Sequence, residues 1–287
     1  MSILVNGNTR LLVYGVETQE GAIYTERMLA SGTAVVAAVA AGRGGGWIEN
    51  VPVFETVQEA IRATDANTAL ICVQPQGAAE AILEAADAGI GLIVCATSRV
   101  PVHDMVQIRA YLQYRDVRLI GPGSPGLFTP EQCVVGAIAP HILRPGSVGI
   151  LSRSGSLAYK VIWLLTEAGI GQSTVVGIGD GLIVGTGFAE LLAMFEDDPA
   201  TQQVVLLGEI GGQEEEQSAE VIRDRMSKPV VAYVVGHTAP PGRQMGHPGA
   251  IVEGYAGLAQ VKVDALARAG ARVARTLGEI PALLEMR

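Results

Sequence analysis

Cysteine is scarce in this sequence. Three residues, Cys72, Cys95 and Cys133, are spread over 287 positions. An odd, widely spaced set gives no disulfide frame and no thiolate metal centre, and it reads as reduced, buried thiols. Charged residues are 17% of the chain, with no Lys/Arg tract and a net charge of −9, so nucleic acid is not expected as a partner. Aromatic residues are 5%. The longest apolar runs, such as residues 34–41, fall far short of the roughly 18 residues needed to span a membrane, so no membrane partner is expected either. The first residues lack a positively charged segment followed by an apolar core, so no secretory signal is expected. The remaining class is a soluble, cytoplasmic enzyme or binding protein.

About half of the chain, 49%, is apolar, enough for two domains with substantial cores. Short runs rich in Val, Ile and Leu alternate with helical patterns. Strands are expected at 11–14, 35–39, 69–73, 92–95 and 118–120, with helices near 21–30, 77–88 and 102–113. A Gly/Pro-rich connection follows. The alternation restarts with strands at 148–151, 173–178, 204–207 and 230–235, and helices near 155–168, 186–195, 214–226 and 257–269. Nearly continuous apolar strands belong to parallel sheets covered on both faces. The fold class is therefore α/β: two doubly wound domains in tandem, at 1–122 and 147–287, joined by 123–146.

The chemistry should lie in glycine-rich turns at strand ends. The loop T-A-P-P-G-R-Q-M-G-H-P-G-A-I, 238–251, follows an apolar strand. Its two adjacent prolines, Pro240 and Pro241, and three glycines (Gly242, Gly246, Gly249) let His247 approach another group closely. Base, metal ligand, phosphoryl carrier and purely structural turn all remain open for it. Four other turns stand out. Gly15-Val16-Glu17-Thr18-Gln19-Glu20-Gly21 opens a helix N-terminus suited to a phosphate. It lacks the G-x-G-x-x-G fingerprint, and its two carboxylates also suit the helix dipole alone. In A-G-R-G-G-G (41–46), Arg43 reads as a phosphate cation in preference to a surface residue. S-R-S-G-S (152–156) offers Ser154 as an N-cap and free N–H groups to an anion. In G-E-I-G-G (208–212), Glu209 is placed to accept a hydrogen bond from a histidine ring, which fixes its tautomer and leaves the other nitrogen nucleophilic. Glu214–Glu216 reads as a solvated helix start, and His103 and His237 show no role.

Together G-E-I-G-G, S-R-S-G-S and the histidine loop resemble the α subunit of succinyl-CoA synthetase, as do S-I-L-V-N-G-N-T-R at 2–10 and G-P-G-S-P-G at 121–126. The order and spacing agree over essentially the whole chain. The resemblance implies a Rossmann-like CoA-binding domain followed by a flavodoxin-like domain, in a nucleotide-dependent acid–thiol ligase. It implies a separate ATP-grasp β subunit that binds ATP or GTP with Mg2+, in an αβ or α2β2 assembly, and a dicarboxylate or tricarboxylate substrate. His247 would carry the phosphoryl group from nucleotide to acid, and CoA would attack the resulting acyl phosphate. Glu209 would partner the His247 ring, and Ser154, Gly155 and Ser156 would hold the phosphate. Glu17, Thr18, Gln19, Glu20, Arg43, Ala96, Thr97 and Ser98 fall where the family binds CoA. Tyr159, with Ser124, Pro125 and Gly126, falls where it meets the acid. The resemblance implies no metal ligand in this chain.

The sequence departs from the family pattern at the CoA and acid end. Glu17-Thr18 replaces Thr-Gly, and Arg43 replaces a lysine. Ser98-Arg99 replaces Glu-Gly, Gly123-Ser124 replaces Asn-Cys, and Asp180-Gly181 replaces Gly-Asp. An acid–CoA ligase subunit, a paralogue with another thiol or acyl group, and a non-catalytic CoA- or nucleotide-sensing module are the competing readings. An intact His247 and Glu209 speak against the last.

Overall fold

The computed structural model describes residues 2–286 apart from 139, 254 and 256. Its first half runs β1 (Leu11–Tyr14), α1 (Gln19–Ala30), β2 (Val35–Val39), β3 (Trp47–Ile48), β4 (Val51–Phe54), α2 (Val57–Thr64), β5 (Thr68–Ile71), α3 (Ala78–Asp87), β6 (Leu92–Cys95), α4 (Val102–Leu112) and β7 (Arg118–Ile120). The strand order is β3-β4-β2-β1-β5-β6-β7, parallel except for the short β3–β4 pair. Without β3 this is the 3-2-1-4-5-6 order of a Rossmann sheet. The alternation of side chains along each strand divides its residues between two faces. Leu11, Val13, Leu70 and Val94 enter one core; Leu12, Ile71 and Ile93 enter the other.

The second half runs β8 (Gly126–Thr129), β9 (Cys133–Gly136), β10 (Pro145–Ser152), α5 (Gly155–Glu167), β11 (Gln172–Gly177), α6 (Phe188–Asp197), β12 (Gln203–Glu209), α7 (Glu214–Arg225), β13 (Val230–Val235), α8 (Ala259–Arg268), β14 (Arg272–Val273) and α9 (Ile280–Glu285). Strands β11-β10-β12-β13-β14 are parallel and give the 2-1-3-4-5 order of a flavodoxin-like sheet.

The stretch expected as a plain connection holds β8 and β9. They form an antiparallel pair that extends the second sheet through β11. Glycine and proline flank two four-residue strands there and mask their apolar pattern. This pair also docks the first half: the Thr33 hydroxyl bonds the Val134 carbonyl at 2.8 Å and accepts its N–H at 2.9 Å. The free thiols of Cys72, Cys95 and Cys133 are all buried, and burial pushes that of Cys95 up to about 12. Among the described residues no helix is long and apolar enough to cross a membrane.

Candidate active site at two topological switch points

Ligands of open α/β sheets bind beyond the strand C-termini where the strand order reverses. Here those points lie between β1 and β5 in the first sheet and between β10 and β12 in the second. The turn G-E-I-G-G ends β12, and S-R-S-G-S leads from β10 into α5.

Glu209 is the last residue of β12 and is 3% exposed. Its Oε2 lies 2.6 Å from Nδ1 of His247, whose side chain is 32% exposed. That carboxylate holds the His247 pKa above the ordinary imidazole value, against the opposing effect of burial. A Nδ1–H donated to Glu209 leaves Nε2 as the nucleophilic nitrogen. The histidine loop is pinned by backbone bonds: Gly242 N to Val252 O at 2.9 Å, Met245 N to Ala250 O at 2.9 Å, Ala250 N to His247 O at 3.1 Å and Gly249 N to Asp180 O at 3.0 Å. Gly211, at φ +86°, lies against it; any Cβ there would overlap the Gly249 carbonyl.

Arg153 fixes the Glu209 carboxylate, and Glu215 with Lys262 behind it fixes the backbone of the same residue. Arg153, 6% exposed, donates from Nε to Glu209 Oε1 at 2.9 Å and from a terminal nitrogen to Gly181 O at 2.6 Å. S-R-S-G-S thus contributes a buried cation as well as a helix start. Glu215 corrects the expectation of a solvated run at Glu214–Glu216: it is 0% exposed, and its Oε1 accepts the Glu209 N–H at 3.0 Å. Its other oxygen pairs with Lys262, also 0% exposed, which further bonds Glu216 at 3.1 Å and Gly212 O at 3.2 Å. A buried carboxylate is tolerable because this cation faces it. The sequence holds a signal for Lys262: it sits with Ala259 and Leu266 on the buried stripe of α8.

Ser154 caps α5, accepting from Leu157 N at 3.4 Å, and its hydroxyl lies 3.1 Å from that of Ser156. Its own N–H is taken by Ser152 Oγ at 3.0 Å. The N–H groups of Gly155 and Ser156, at the start of a thirteen-residue helix, carry the positive end of its dipole.

At the first switch point a cavity of about 340 Å³ is lined by Thr18, Gln19, Glu20, 72–75, Thr97 and Ser98. Thr18 caps α1 through Gly21 N at 3.0 Å and donates to Gly15 O at 2.8 Å and Cys72 O at 2.9 Å. The Thr97 hydroxyl donates to Val73 O at 2.8 Å and accepts Val73 N–H at 3.2 Å, so it shapes the wall. A larger depression, about 710 Å³ and lined by Arg109, Arg115 and Arg118 beside Glu190, contains no residue of the five glycine-rich turns. Among the described residues no cluster of three or more His, Cys, Asp or Glu is placed to hold a metal ion.

Comparison with known proteins adds to this geometry. Residues 6–99 match the model of a CoA binding domain and residues 151–272 that of a CoA-ligase domain. The chain is 50% identical over 284 residues to a succinate–CoA ligase [ADP-forming] subunit alpha 2 of Archaeoglobus fulgidus, covering 99% of both chains. The chain belongs to the succinate–CoA ligase α-subunit family. It is also 45% identical to the corresponding α subunit of Staphylococcus aureus, covering 99% of this chain and 94% of that one. The solved ATP citrate lyase of Methanothrix soehngenii, in complex with citrate and coenzyme A, superposes with a TM-score of 0.89 at 27% identity. That match covers 99% of this chain and 51% of the lyase, so this chain spans about half of its length.

Several residues at family binding positions sit outside the two centres. Glu17 is exposed and absent from the cavity wall, because Thr18 takes the capping position and turns the preceding residue outward; Glu20 is the carboxylate that lines it. Arg43 is exposed and also outside the cavity lining. The N–H groups of Gly42 and Gly44 beside it, each at 2.7 Å, are spent on Glu55. Ala96 is half-buried, its N–H bonded to Ile71 O at 3.0 Å. Tyr159, 40% exposed, lines a surface groove with His141 and Trp163 that includes no residue of the histidine loop. Ser124 is a buried strut, donating to Gly177 O at 2.6 Å and accepting Gly126 N–H at 3.0 Å. Pro125 packs on Gly155 and Gly177. The hydroxyl is thereby committed to the end of β11 and the start of β8, and the proline to the α5 turn.

Proposed function

We propose that the chain is the α subunit of a nucleotide-dependent acid–thiol ligase, with residues 1–122 binding CoA and 147–287 carrying a phosphohistidine at His247. The observation that carries this reading is the Arg153–Glu209–His247 arrangement, which orients the imidazole through Nδ1 and leaves Nε2 as the nitrogen turned away from the carboxylate. Phosphoryl transfer asks a protein for positioning and charge stabilisation, and the α5 N-terminus beside a fixed imidazole offers both. The cavity at the first switch point suits CoA by place: the α1 N-terminus opens into it, and Thr18, Thr97 and Ser98 bring hydroxyls to its wall beside the Glu20 carboxylate.

In this reaction His247 Nε2 attacks the γ-phosphorus of ATP or GTP, and the Nδ1 proton stays shared with Glu209. The Gly155 and Ser156 N–H groups receive the phosphate oxygens. A carboxylate oxygen of the acid then takes the phosphoryl group, and the CoA sulfur displaces phosphate from the acyl carbon. The nucleotide and its Mg2+ would be held by an ATP-grasp β subunit, as an αβ or α2β2 assembly, and the acid is a dicarboxylate or tricarboxylate. A sensing module would have no use for a buried arginine and carboxylate trained on a half-exposed imidazole.

The test is co-expression with the β subunit, mass analysis after incubation with nucleotide and Mg2+, and a screen of acids for CoA-dependent nucleotide cleavage. One acid-labile phosphoryl group, lost in His247→Ala, is expected. Unchanged labelling in that variant would refute the assignment.

A further inference from the structure

Three of the positions that depart from the family pattern meet at one point. Ser98 lines the cavity of the first switch point, and its hydroxyl donates to Asp180 Oδ2 at 3.2 Å. The other oxygen of Asp180, Oδ1, is buried without a hydrogen-bond partner. It is pressed against Gly123, where any Cβ would overlap it. The carboxylate therefore fills space that only a glycine at 123 leaves open.

Asp180 is also tied to the other centre. Its carbonyl accepts Gly249 N–H from the histidine loop at 3.0 Å, and its N–H bonds Pro122 O at 3.2 Å. The next carbonyl, that of Gly181, holds Arg153. On the ligase reading, the CoA sulfur and the phosphoryl group on His247 must converge on one acyl carbon. Asp180 meets the cavity wall with its side chain and holds the loop of that histidine with its backbone carbonyl.

We propose that Ser98 and Asp180 form a proton relay for the CoA thiol, a role that rests on the function proposed above. The Ser98 Oγ–H is given to Asp180, so the Oγ lone pairs are free to face the cavity. As the sulfur attacks the acyl phosphate, the S–H proton passes to Ser98 Oγ and the Ser98 proton passes to Asp180 Oδ2. The S–H electron pair forms the C–S bond, the bond between the acyl carbon and the bridging oxygen breaks, and phosphate leaves with the electron pair of that broken bond. Asp180 afterwards returns its proton to phosphate or water. Ser98 touches the thiol, and Asp180 acts through it as the positioning and proton-storing group.

The surroundings suit that task. Burial raises the Asp180 pKa above the usual carboxylate range, His247 and the Ser98 hydroxyl oppose the rise, and Glu209 adds to it. The charged and titratable groups around it are His247 on the loop after β13, Glu209 at the end of β12, Cys95 in β6, and Arg153 through the Gly181 carbonyl. A carboxylate whose affinity for a proton is raised accepts one from a thiol more readily.

The test uses the reconstituted αβ complex and separates two half-reactions: labelling of His247 by nucleotide, and CoA-dependent discharge of the label with the acid that the screen selects. Asp180→Asn should label within about twofold of wild type and bind CoA within about threefold by calorimetry. Its CoA-dependent discharge should fall about 100-fold at pH 7, within the range of general-base effects. Relative to wild type it should recover to within about tenfold near pH 9, where the thiol ionises unaided. Ser98→Ala should show the same labelling and the same deficit in discharge, narrowing with pH. Discharge at the wild-type rate, a deficit that does not narrow with pH, or labelling slowed as much as discharge would overturn the relay alone. A wild-type complex that never labels His247 would overturn the ligase reading and the relay with it.

Discussion

Nδ1 of His247 lies 2.6 Å from a carboxylate oxygen of Glu209, and the opposite oxygen of that carboxylate is held by Arg153 at 2.9 Å. The histidine sits on a glycine-rich loop, yet its ring is referenced to a buried strand end. The arginine takes up Glu209 charge from behind, so the pair need not be a fully separated imidazolium and carboxylate. The following outcomes are expected from this arrangement.

Glu209→Gln keeps the shape and one acceptor but removes the charge that stabilises a cationic imidazole during transfer. Labelling of His247 should slow about 100-fold, roughly 3 kcal/mol of transition-state stabilisation, with little loss of fold. Rapid-quench labelling of the αβ complex measures it, and a near wild-type rate would remove Glu209 from the mechanism.

The pH dependence has a definite sign. Glu209 raises the pKa of His247, and a protonated Nε2 cannot attack phosphorus. The labelling rate should therefore fall as pH drops through the raised pKa, with an acid limb above the ordinary imidazole value of about 6.5. Glu209→Gln should move that limb downward. An unshifted limb would mean that another group controls it.

Arg153→Met removes the cation from a nearly dry carboxylate. Breaking one side of a buried ion pair costs about 3 kcal/mol or more, and denaturant titration should show a loss of that order. Labelling should slow as well, since Glu209 can then turn from the ring. Arg153→Lys should rescue only in part, because an ammonium lacks the fork that spans Glu209 and Gly181 O.

At the CoA end, Glu20 and not Glu17 faces the cavity. Glu20→Gln should tighten CoA binding about threefold, a modest change because the carboxylate is solvent-exposed and screened. Glu17→Thr should leave affinity unchanged. Calorimetric titration of both variants decides the point, and the reverse ranking would mean that the phosphates lie outside the cavity.

Periodicity made the parallel strands legible, because residues such as 92–95 and 230–235 are apolar throughout. It could not reveal β8 and β9, where glycines and prolines flank short runs. It also missed α2, although T-V-Q-E at 56–59 is a capping signature and Thr56 Oγ1 does accept Glu59 N–H at 3.2 Å. Glu209 was legible because an isolated acid between glycines at a strand end has few other uses. Glu215 was hidden among three consecutive acids, since only the packing of α8 distinguishes the buried one from its neighbours. Asp180 was visible as a departure from a pattern, but its contact with Ser98 spans 82 positions of sequence and needs both sheets in place.

The buried Lys262 gives the molecule a dependence that its motifs do not advertise. Every glycine-rich signature ends by residue 251, yet the N–H of Glu209 is steadied by Glu215, whose charge is neutralised from α8. A fragment cut after the histidine loop would carry every recognisable signature and still leave a buried carboxyl without its cation under the working strand end. Survival of those motifs in a shortened gene is thus no guarantee of a competent subunit; the identity of the residue at 262 is the better indicator.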